Sequence, residues 1–521
     1  MPCPKSGRYI FGVKKKTPIR TADILAYQPA LRPALPCIFG PVEFREFRDQ
    51  LVQIDAMLTH GGLDATFLKA ARAAHATELT GADAKALQRF ARTTALALRC
   101  NVARAITGLS FREFAVRCAE SSLLQWFLGI GELDRVKVPA KSTLERFSKW
   151  VGADLLTPLH DRLITQAVTA AGADAPQPLG LAVPVDATVV FFDSTCLKAN
   201  IHFPVDWVLL RAATRTLMKA TKLIRRAGLK QRLPQEPLRF LSRMNQLAMA
   251  MSATSRRPDA KRQRKRTLRQ MKQLAQTVRR HAQAHRTLLV HHGTETPLSE
   301  AQAQVILRRI DGVLAQLPAA LKQAHERIIG GRQVPTADKI LSLYEPEVQV
   351  LKRGKAGAAV EFGHKLWLGE TAAGLIVDFA LLPTVKADTA LVLPATRRLV
   401  KGLKLQVKQV WGDRGLFSQA NEQGLAKRGL RSGLCPRDPA ELHRRLTEEE
   451  GFRAGLRRRG GTEARIAIFK ASFVGSPCLT KRFGPRAVAL SWAVLAHNLW
   501  VLARLKLKQE RPPARSSLKA A

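Results

Sequence analysis

Acidic residues are scarce in this 521-residue chain, which has 41 Asp and Glu against 85 Lys and Arg. The formal net charge is therefore +44, and the sequence pI is about 11.0. This balance excludes an ordinary cytosolic metabolic enzyme. A polyanion is drawn to such a protein by long-range attraction and counterion release, so nucleic acid is the default partner.

Paired cysteines and an export signal are also missing. The seven cysteines are single and irregularly spaced, which argues against a zinc finger or a disulfide scaffold and suits a reducing compartment. The basic start MPCPKSGRYIFGVKKKTPIR lacks the apolar core of a signal peptide. Only residues 487–505 approach a membrane span in length, and Ser491, His497, Asn498 and Arg504 favour a buried helix there. The sequence thus predicts a soluble cytoplasmic protein with no membrane partner.

With 46% hydrophobic residues, the chain can bury a sizeable core spread over two to four domains. Residues 1–80 alternate short apolar runs with Pro and Gly, which predicts a loosely structured N-terminal arm. Residues 81–170 show helical patterns separated by Gly108 and by the stretch 129–139. A helix-turn-helix-like DNA-binding domain and a plain helical bundle fit this pattern equally well.

After the linker AAGADAPQPLG, the stretch ATVVFFDST predicts a buried strand that ends on Asp193. Strand patterns return at EVQVLKRGKAG and at a hairpin formed by AAVEFGHKLWLGET and GLIVDFALLPT. Helices and strands then alternate. This order predicts an α/β domain with a mixed sheet, built from residues 184–210 and 341–505, and residues 506–521 predict a disordered tail.

Residues 211–340, between the two parts of this domain, predict a long basic helical insertion. Residues 211–290 contain 22 Lys and Arg but only two acids, Glu236 and Asp259. A charge run is ordinarily a solvated face, but helices without acidic partners repel one another unless a polyanion is near. The densest run, KRQRKR, is therefore expected to contact DNA. Its basic residues are Lys261, Arg262, Arg264, Lys265 and Arg266.

Three acidic residues are set apart by their positions. Asp193 ends the first buried strand, Asp413 follows the strand VKQVWG, and Glu463 lies in the helical segment RRRGGTEARIAIFK, which can pack beside both strand ends. Carboxylates that converge in so basic a protein need a reason, and a divalent metal supplies one. Two magnesium ions bridged by carboxylates can activate a water or a 3′-hydroxyl for in-line attack on a phosphodiester.

The motifs around these acids resemble those of the DDE transposases of bacterial insertion sequences. They are FFDSTCLKANIHFPVDWVLLRAATRTL around Asp193, SLYEPEVQVLKRGKAGAAVEFGHKLWL in the hairpin, and VWGDRGLFS around Asp413. In the final helix, Arg459, Glu463 and Lys470 reproduce the R-x3-E-x6-K spacing of the group with a Tyr-Arg-Glu-Lys signature.

The resemblance spans roughly Pro184 to Leu505, and LSFREFAVRCAESSLLQWFLG also looks like that group's leading domain. It implies a ribonuclease H-like catalytic domain that binds terminal inverted repeats, cleaves DNA and joins the 3′ ends to target DNA. Asp193, Asp413 and Glu463 would be its catalytic residues and the ligands of two Mg²⁺ or Mn²⁺ ions.

The implied partners are double-stranded DNA and further copies of the chain on paired ends, in a nucleoid-associated location. The DNA contacts expected outside the insertion are Arg353, Lys355, Lys365, Arg414, Arg459 and Lys470.

Two features depart from the family pattern. The signature tyrosine is missing, because Leu456, Arg457 and Arg458 occupy the stretch before Arg459. Related enzymes often insert a β-rich element before the last helix, whereas the insertion here is helical and precedes the hairpin. Two alternatives stay open: a metal-dependent nuclease of the same fold without strand transfer, and a non-catalytic DNA-coating protein, for which the three acids are not required.

Other candidate residues favour ordinary structural roles. Asp186 lies before the apolar run of its strand, where a turn or a cap is expected, and Asp206 and Asp378 favour structural roles over metal binding. His281 and His285 have the spacing of metal ligands on a helix, but no third ligand accompanies them. They are expected to be solvated.

Overall fold

A computed structural model describes residues 32–132, 135–172, 176–253, 259–355 and 358–510 of the chain. The architecture is α/β, with one mixed open sheet and many helices. The coarse class predicted from the sequence is therefore confirmed.

The N-terminal part is helical apart from one short hairpin. Sequence signals set its boundaries: Asp83 accepts a hydrogen bond from Ala86 N at 2.7 Å at one helix start, and Gly108 ends that helix in the left-handed region at φ 65°. The elements are α1 (Val42–His60), α2 (Leu63–Ala74), α3 (Ala76–Leu79), α4 (Ala84–Thr107), α5 (Phe111–Glu120), α6 (Ser122–Leu128), β1 (Gly131–Glu132), β2 (Arg135–Val136), α7 (Lys141–Phe147) and α8 (Ala153–Val168).

The expectation of a loosely structured arm over residues 1–80 is wrong for residues 42–79, which form α1 to α3. Leu51 and Phe67 are fully buried there. Arg99 of α4 lies 3.0 Å from Asp55 and 2.7 Å from Asp64, so an ion-pair network ties α4 to α1 and α2. Residues 1–31 lie outside the described part.

The N-terminal helices share a core with the sheet instead of forming a separate domain. Buried residues of α1, α2 and α4 to α8 pack in one cluster with Phe192 and Trp367 from the sheet and with Trp492, Leu495 and Leu499 near the C-terminus. The helices predicted between residues 81 and 170 are confirmed. Their role in reading DNA stays a prediction.

The first strand of the large sheet leads directly into the basic insertion, whose helices are confirmed. The elements are β3 (Val189–Lys198), α9 (Asp206–Arg226), α10 (Pro237–Ala253), α11 (Ala260–His292) and α12 (Glu300–Ala324). The four helices bury their own apolar core, which includes Leu217, Met244, Met271 and Ile310.

The first helix of the insertion begins at Asp206, five residues earlier than the predicted start at residue 211. The buried carboxylate of Asp206 accepts hydrogen bonds from Arg327 at 3.0 Å and from Gln323 at 2.8 Å, so the first helix is tied to the last. The structural role predicted for Asp206 is confirmed. The expectation for His285 is wrong, because this residue of α11 is fully buried and hydrogen-bonds to the carbonyl oxygen of His281 at 2.8 Å.

The rest of the chain completes the sheet and covers it. These elements are β4 (Gln349–Lys355), β5 (Ala358–Thr371), β6 (Ile376–Leu382), α13 (Thr389–Arg397), β7 (Gln409–Gly412), α14 (Gln419–Ala426), β8 (Arg431–Leu434), α15 (Pro439–Glu448), α16 (Phe452–Phe469) and α17 (Phe483–Glu510). The strand order is β4-β5-β3-β7-β8, and β6 also pairs with β5. Strands β3, β4 and β6 each pair antiparallel with β5. Strand β7 pairs parallel with β3 on one side and with β8 on the other.

The last helix is the longest apolar element among the described residues. By length and hydropathy α17 could cross a membrane, but 67% of its apolar window is buried inside the fold, as in a core helix of a soluble protein. The buried helix predicted over residues 487–505 is thus confirmed. Because α17 continues to Glu510, the disordered tail predicted from residue 506 is wrong for its first five residues, and residues 511–521 lie outside the described part.

Candidate active site

Two of the three acids are positioned by neighbouring parallel strands, Asp193 within β3 and Asp413 directly after β7. Strand β3 pairs with β7 so that Phe191 lies opposite Trp411, and both Asp193 and Asp413 come two residues later. Because side chains alternate along a strand, the two aspartates lie side by side on one face of the sheet. Asp413 directly follows β7, as predicted. Asp193 is not at a strand end, however, because β3 continues through pairing with β5 to Lys198.

Helix α16 lies across the same face and brings the third acid. The rings of Phe191 and Trp411 stack at 6.4 Å, and Phe452 packs on Trp411 at 5.5 Å. Gly455 sits so close to Trp411 that any β-carbon there would collide with the ring. Glycine at this position therefore lets the helix approach the strands that hold the aspartates.

A buried glutamate fixes the rotation of α16 on the sheet. Glu370, on β5 opposite Phe191, accepts a hydrogen bond from Thr462 Oγ1 at 2.7 Å and from Arg465 Nη2 at 2.6 Å. These partners lie one residue before and two residues after Glu463. The sequence did not predict Glu370, Thr462 or Arg465 as site residues, because only the register of β5 on β3 brings Glu370 under the helix.

Arg459 stands between two of the acids. Its Nη2 atom lies 3.0 Å from Glu463 Oε1, one helical turn later, and 4.0 Å from Asp413 Oδ2. The side chains of Asp413 and Glu463 are 40% and 53% exposed, so the pairing lies at the solvent boundary. The guanidinium partly neutralises the carboxylates.

Asp193 is a mostly buried carboxyl whose pKa is raised. Burial raises its pKa to about 6, and the negative charges of Asp413 and Glu463 act in the same direction. The charge of Arg459 and a 2.7 Å hydrogen bond from Ser194 N oppose the rise without cancelling it. Burial and the neighbouring carboxylates together therefore outweigh the effects of Arg459 and Ser194 on this carboxyl.

The donor chemistry of the three acids fits a divalent cation. Carboxylate oxygens are the ligands that Mg²⁺ and Mn²⁺ prefer, and a cation would offset both the burial of Asp193 and its repulsion by Asp413 and Glu463, which together raise its pKa. Among the described residues, however, no set of three or more His, Cys, Asp or Glu side chains is spaced to hold a metal ion. The acids are neighbours but not a preassembled cluster, and binding of two ions stays a prediction.

The ammonium groups of Lys470 and Lys365 have different partners. Lys470 begins a π-helical turn that continues α16, and its Nζ donates to Thr195 Oγ1 at 2.7 Å, on the sheet face that carries Asp193. Lys365 is buried, and its Nζ lies 2.7 Å from Asp388 Oδ1 and donates to a backbone carbonyl at 2.6 Å. The expected phosphate contact of Lys365 is therefore corrected, because its ammonium is bound within the fold.

The remaining predicted DNA contacts are not brought to one place. Arg414 is exposed beside Asp413. On α11, Lys261, Arg262 and Arg266 are exposed, whereas Arg264 and Lys265 are half-buried. The side chains of Arg353 and Lys355, on β4, lie outside the described part. DNA contact by all of these residues stays a prediction.

The carboxylates set aside by sequence have structural partners. Asp186 accepts a 2.8 Å hydrogen bond from Thr188 N in a local turn. Asp378 is buried and makes two 2.7 Å hydrogen bonds with Arg398. Both structural expectations are confirmed.

Comparisons with protein-family models, with curated proteins and with solved structures find no match for this chain.

Proposed function

We propose that this protein is a DDE-type DNA transposase, which cuts DNA at the ends of an insertion sequence and joins the 3′-hydroxyls to target DNA. The observation that carries the proposal is the convergence of Asp193, Asp413 and Glu463 on one face of the sheet. They come from one strand, from the end of its parallel neighbour and from a helix, which are far apart in sequence. A protein that only coats DNA gains nothing from three acids that repel one another.

The proposal includes a ribonuclease H-like fold for residues 184–205 and 341–505. Support comes from the mixed sheet with helices on its faces and from the two aspartates, one within β3 and one directly after the adjacent parallel strand β7. The family resemblance of the motifs around the same residues points in the same direction.

Asp193, Asp413 and Glu463 would hold two Mg²⁺ or Mn²⁺ ions. When bound, such ions polarise the attacking water or hydroxyl and stabilise the leaving oxygen. The chain's own cations would orient the substrate. Lys470, fixed on Thr195 beside the acids, places a positive charge where a phosphate next to the scissile one can be held for in-line attack.

The wider DNA contact would come from the basic insertion and from Arg414 at the site. Double-stranded element ends and target DNA are the proposed partners, bound by a homo-oligomer on paired ends. The net charge of +44 supplies the long-range attraction for this binding.

The test uses the full chain, Mg²⁺ or Mn²⁺, end-labelled duplexes from the DNA that flanks its coding region, and a target plasmid. Cleavage and joining are expected. Asp193→Asn and Asp413→Asn should each abolish both steps while DNA binding is unchanged or slightly tighter, because one negative charge near phosphate is lost. Asp186→Asn is the matched control, since it removes an exposed carboxylate that only closes a turn before the same strand.

Three results would redirect the proposal. Cleavage without joining would favour the nuclease alternative. Tight binding without cleavage of any duplex, equal in all variants, would favour the DNA-coating alternative. Loss of DNA binding in Asp193→Asn would mean that this aspartate is structural.

A further inference from the structure

Arg459 occupies the place where a cation would neutralise the acids. Its guanidinium lies 3.0 Å from Glu463 and 4.0 Å from Asp413, and its charge lowers the pKa of Asp193 against the effect of burial. Within the described part of the chain, no set of three or more His, Cys, Asp or Glu side chains is already spaced to hold a metal ion. The arginine and a metal ion would compete for the same carboxylates.

The pairing of Arg459 is incomplete and open to exchange. Its Nε atom is buried and has no hydrogen-bond partner among the described residues, and both carboxylates it faces are substantially exposed. Exposed ion pairs contribute little to stability and are easily broken. By contrast, Arg465 is held by both oxygens of the buried Glu370, with distances of 2.6 to 3.0 Å.

Two other cations near α16 are engaged elsewhere, and Arg414, exposed beside Asp413, makes no ion pair with the acids among the described residues. Lys470 donates to Thr195 Oγ1, and Arg458 lies over the ring of Phe191, 4.8 Å from its centroid. Arg459 is therefore the cation placed to leave the acids when a stronger anion arrives. Arginine binds phosphate oxygens in a bidentate geometry, so DNA supplies that anion.

We propose that Arg459 is a displaceable internal counter-ion that couples DNA binding to metal binding. In the DNA-free protein it neutralises Asp413 and Glu463 and weakens their affinity for divalent cations. A backbone phosphate of bound DNA draws the guanidinium away, and the carboxylates then accept metal. By linkage, DNA and metal each raise the affinity for the other by the same factor. This inference rests on the proposed function and deepens it, because it makes tight metal binding by the carboxylates depend on bound DNA.

The experiment measures Mn²⁺ affinity of the full chain by electron paramagnetic resonance, with and without a short duplex, after subtraction of Mn²⁺ bound by the duplex alone. Without DNA, Arg459→Ala and Arg459→Gln should each bind Mn²⁺ about tenfold more tightly than the wild type. The duplex should raise the affinity of the wild type by a similar factor and leave both variants unchanged. Thermal melts of both variants confirm that they fold.

Arg457→Ala is the matched control. It removes the same charge from an exposed position of α16, on another side of the helix, and should behave as the wild type.

Two outcomes would overturn the inference, and they are distinguishable. Equal Mn²⁺ affinities of the wild type and both Arg459 variants without DNA would remove the counter-ion role and leave the proposed function standing. Absence of Mn²⁺ binding by any form, with or without the duplex, would remove the counter-ion role and the metal-dependent function together.

Discussion

At the scale of single residues, burial and neighbouring negative charges disfavour the ionised form of Asp193. The folded state holds its proton up to about pH 6, whereas the ordinary value is 3.8. The folded protein therefore binds this proton more tightly than the unfolded chain does. The contribution of Asp193 to stability is most favourable below about pH 4, falls as the pH rises from about 4 to about 6, and stays low above that window.

This sign gives a prediction for Asp193→Asn in the absence of divalent metal. The amide has the shape of the protonated carboxyl but cannot ionise, so the stability of the variant does not fall between about pH 4 and pH 6 as that of the wild type does. We expect its melting temperature to exceed that of the wild type by about 1–2 °C at pH 7.5 and to match it at pH 4. Scanning calorimetry in EDTA measures this difference. An equal difference at both pH values would show that Asp193 ionises as an ordinary aspartate.

The sequence could predict the acids of the site but not what holds them. Asp193 and Asp413 follow apolar runs, and Glu463 lies in a helical pattern, so residue type and local pattern are sufficient to select them. Glu370 has no local signal, since its partners lie 92 and 95 residues away. The predicted phosphate contact of Lys365 was wrong for the same reason, because whether a lysine on a strand faces solvent depends on the elements that lie beside it.

At the scale of elements, the position of α16 decides where Glu463 lies. The helix has glycines at 455, 460 and 461, and the first two differ most clearly in surroundings. Gly455 lies against Trp411, whereas a β-carbon at Gly460 would meet open space. The pair separates the contribution of the contact from the general effect of glycine in a helix.

We therefore expect Gly455→Ala and Gly460→Ala to change stability in opposite directions. Alanine at 460 should raise the free energy of unfolding by about 0.5–1 kcal/mol, because it reduces the freedom of the unfolded chain. Alanine at 455 should lower it by about 1–3 kcal/mol, because the ring of Trp411 must move. Urea denaturation measures both. Stabilisation by both substitutions would mean that α16 is not packed on Trp411.

At the scale of the whole molecule, the N-terminal helices and the sheet share a core in the described part of the chain, and the insertion has a helical core of its own. The insertion was predictable, because its basic composition and helical periodicity are local properties. The union of the N-terminal helices with the sheet was not. It depends on contacts such as that between the rings of Phe67 and Trp492, 5.4 Å apart in space and more than 400 residues apart in sequence.

The distribution of charge gives the last prediction, which concerns the basic run on α11. Duplex binding should weaken steeply with salt, because each neutralised phosphate contributes roughly −0.9 to the slope of log K against log salt. Three cations of the run are exposed: Lys261, Arg262 and Arg266. Their joint replacement by Gln should make the slope shallower by up to about 3 units if each binds one phosphate. Fluorescence anisotropy over a series of salt concentrations measures the slope.

The control for this prediction removes the same charge at the opposite end of the sheet. Lys401, Lys404 and Lys408 are exposed and precede β7, whereas Asp413 follows it. Their replacement by Gln should leave the slope nearly unchanged, because a counterion is released only where a phosphate is contacted. An equal change in both triple variants would mean that the +44 charge acts as a general field. An unchanged slope after replacement on α11 would make the run a solvated face and leave the insertion without a role in DNA binding.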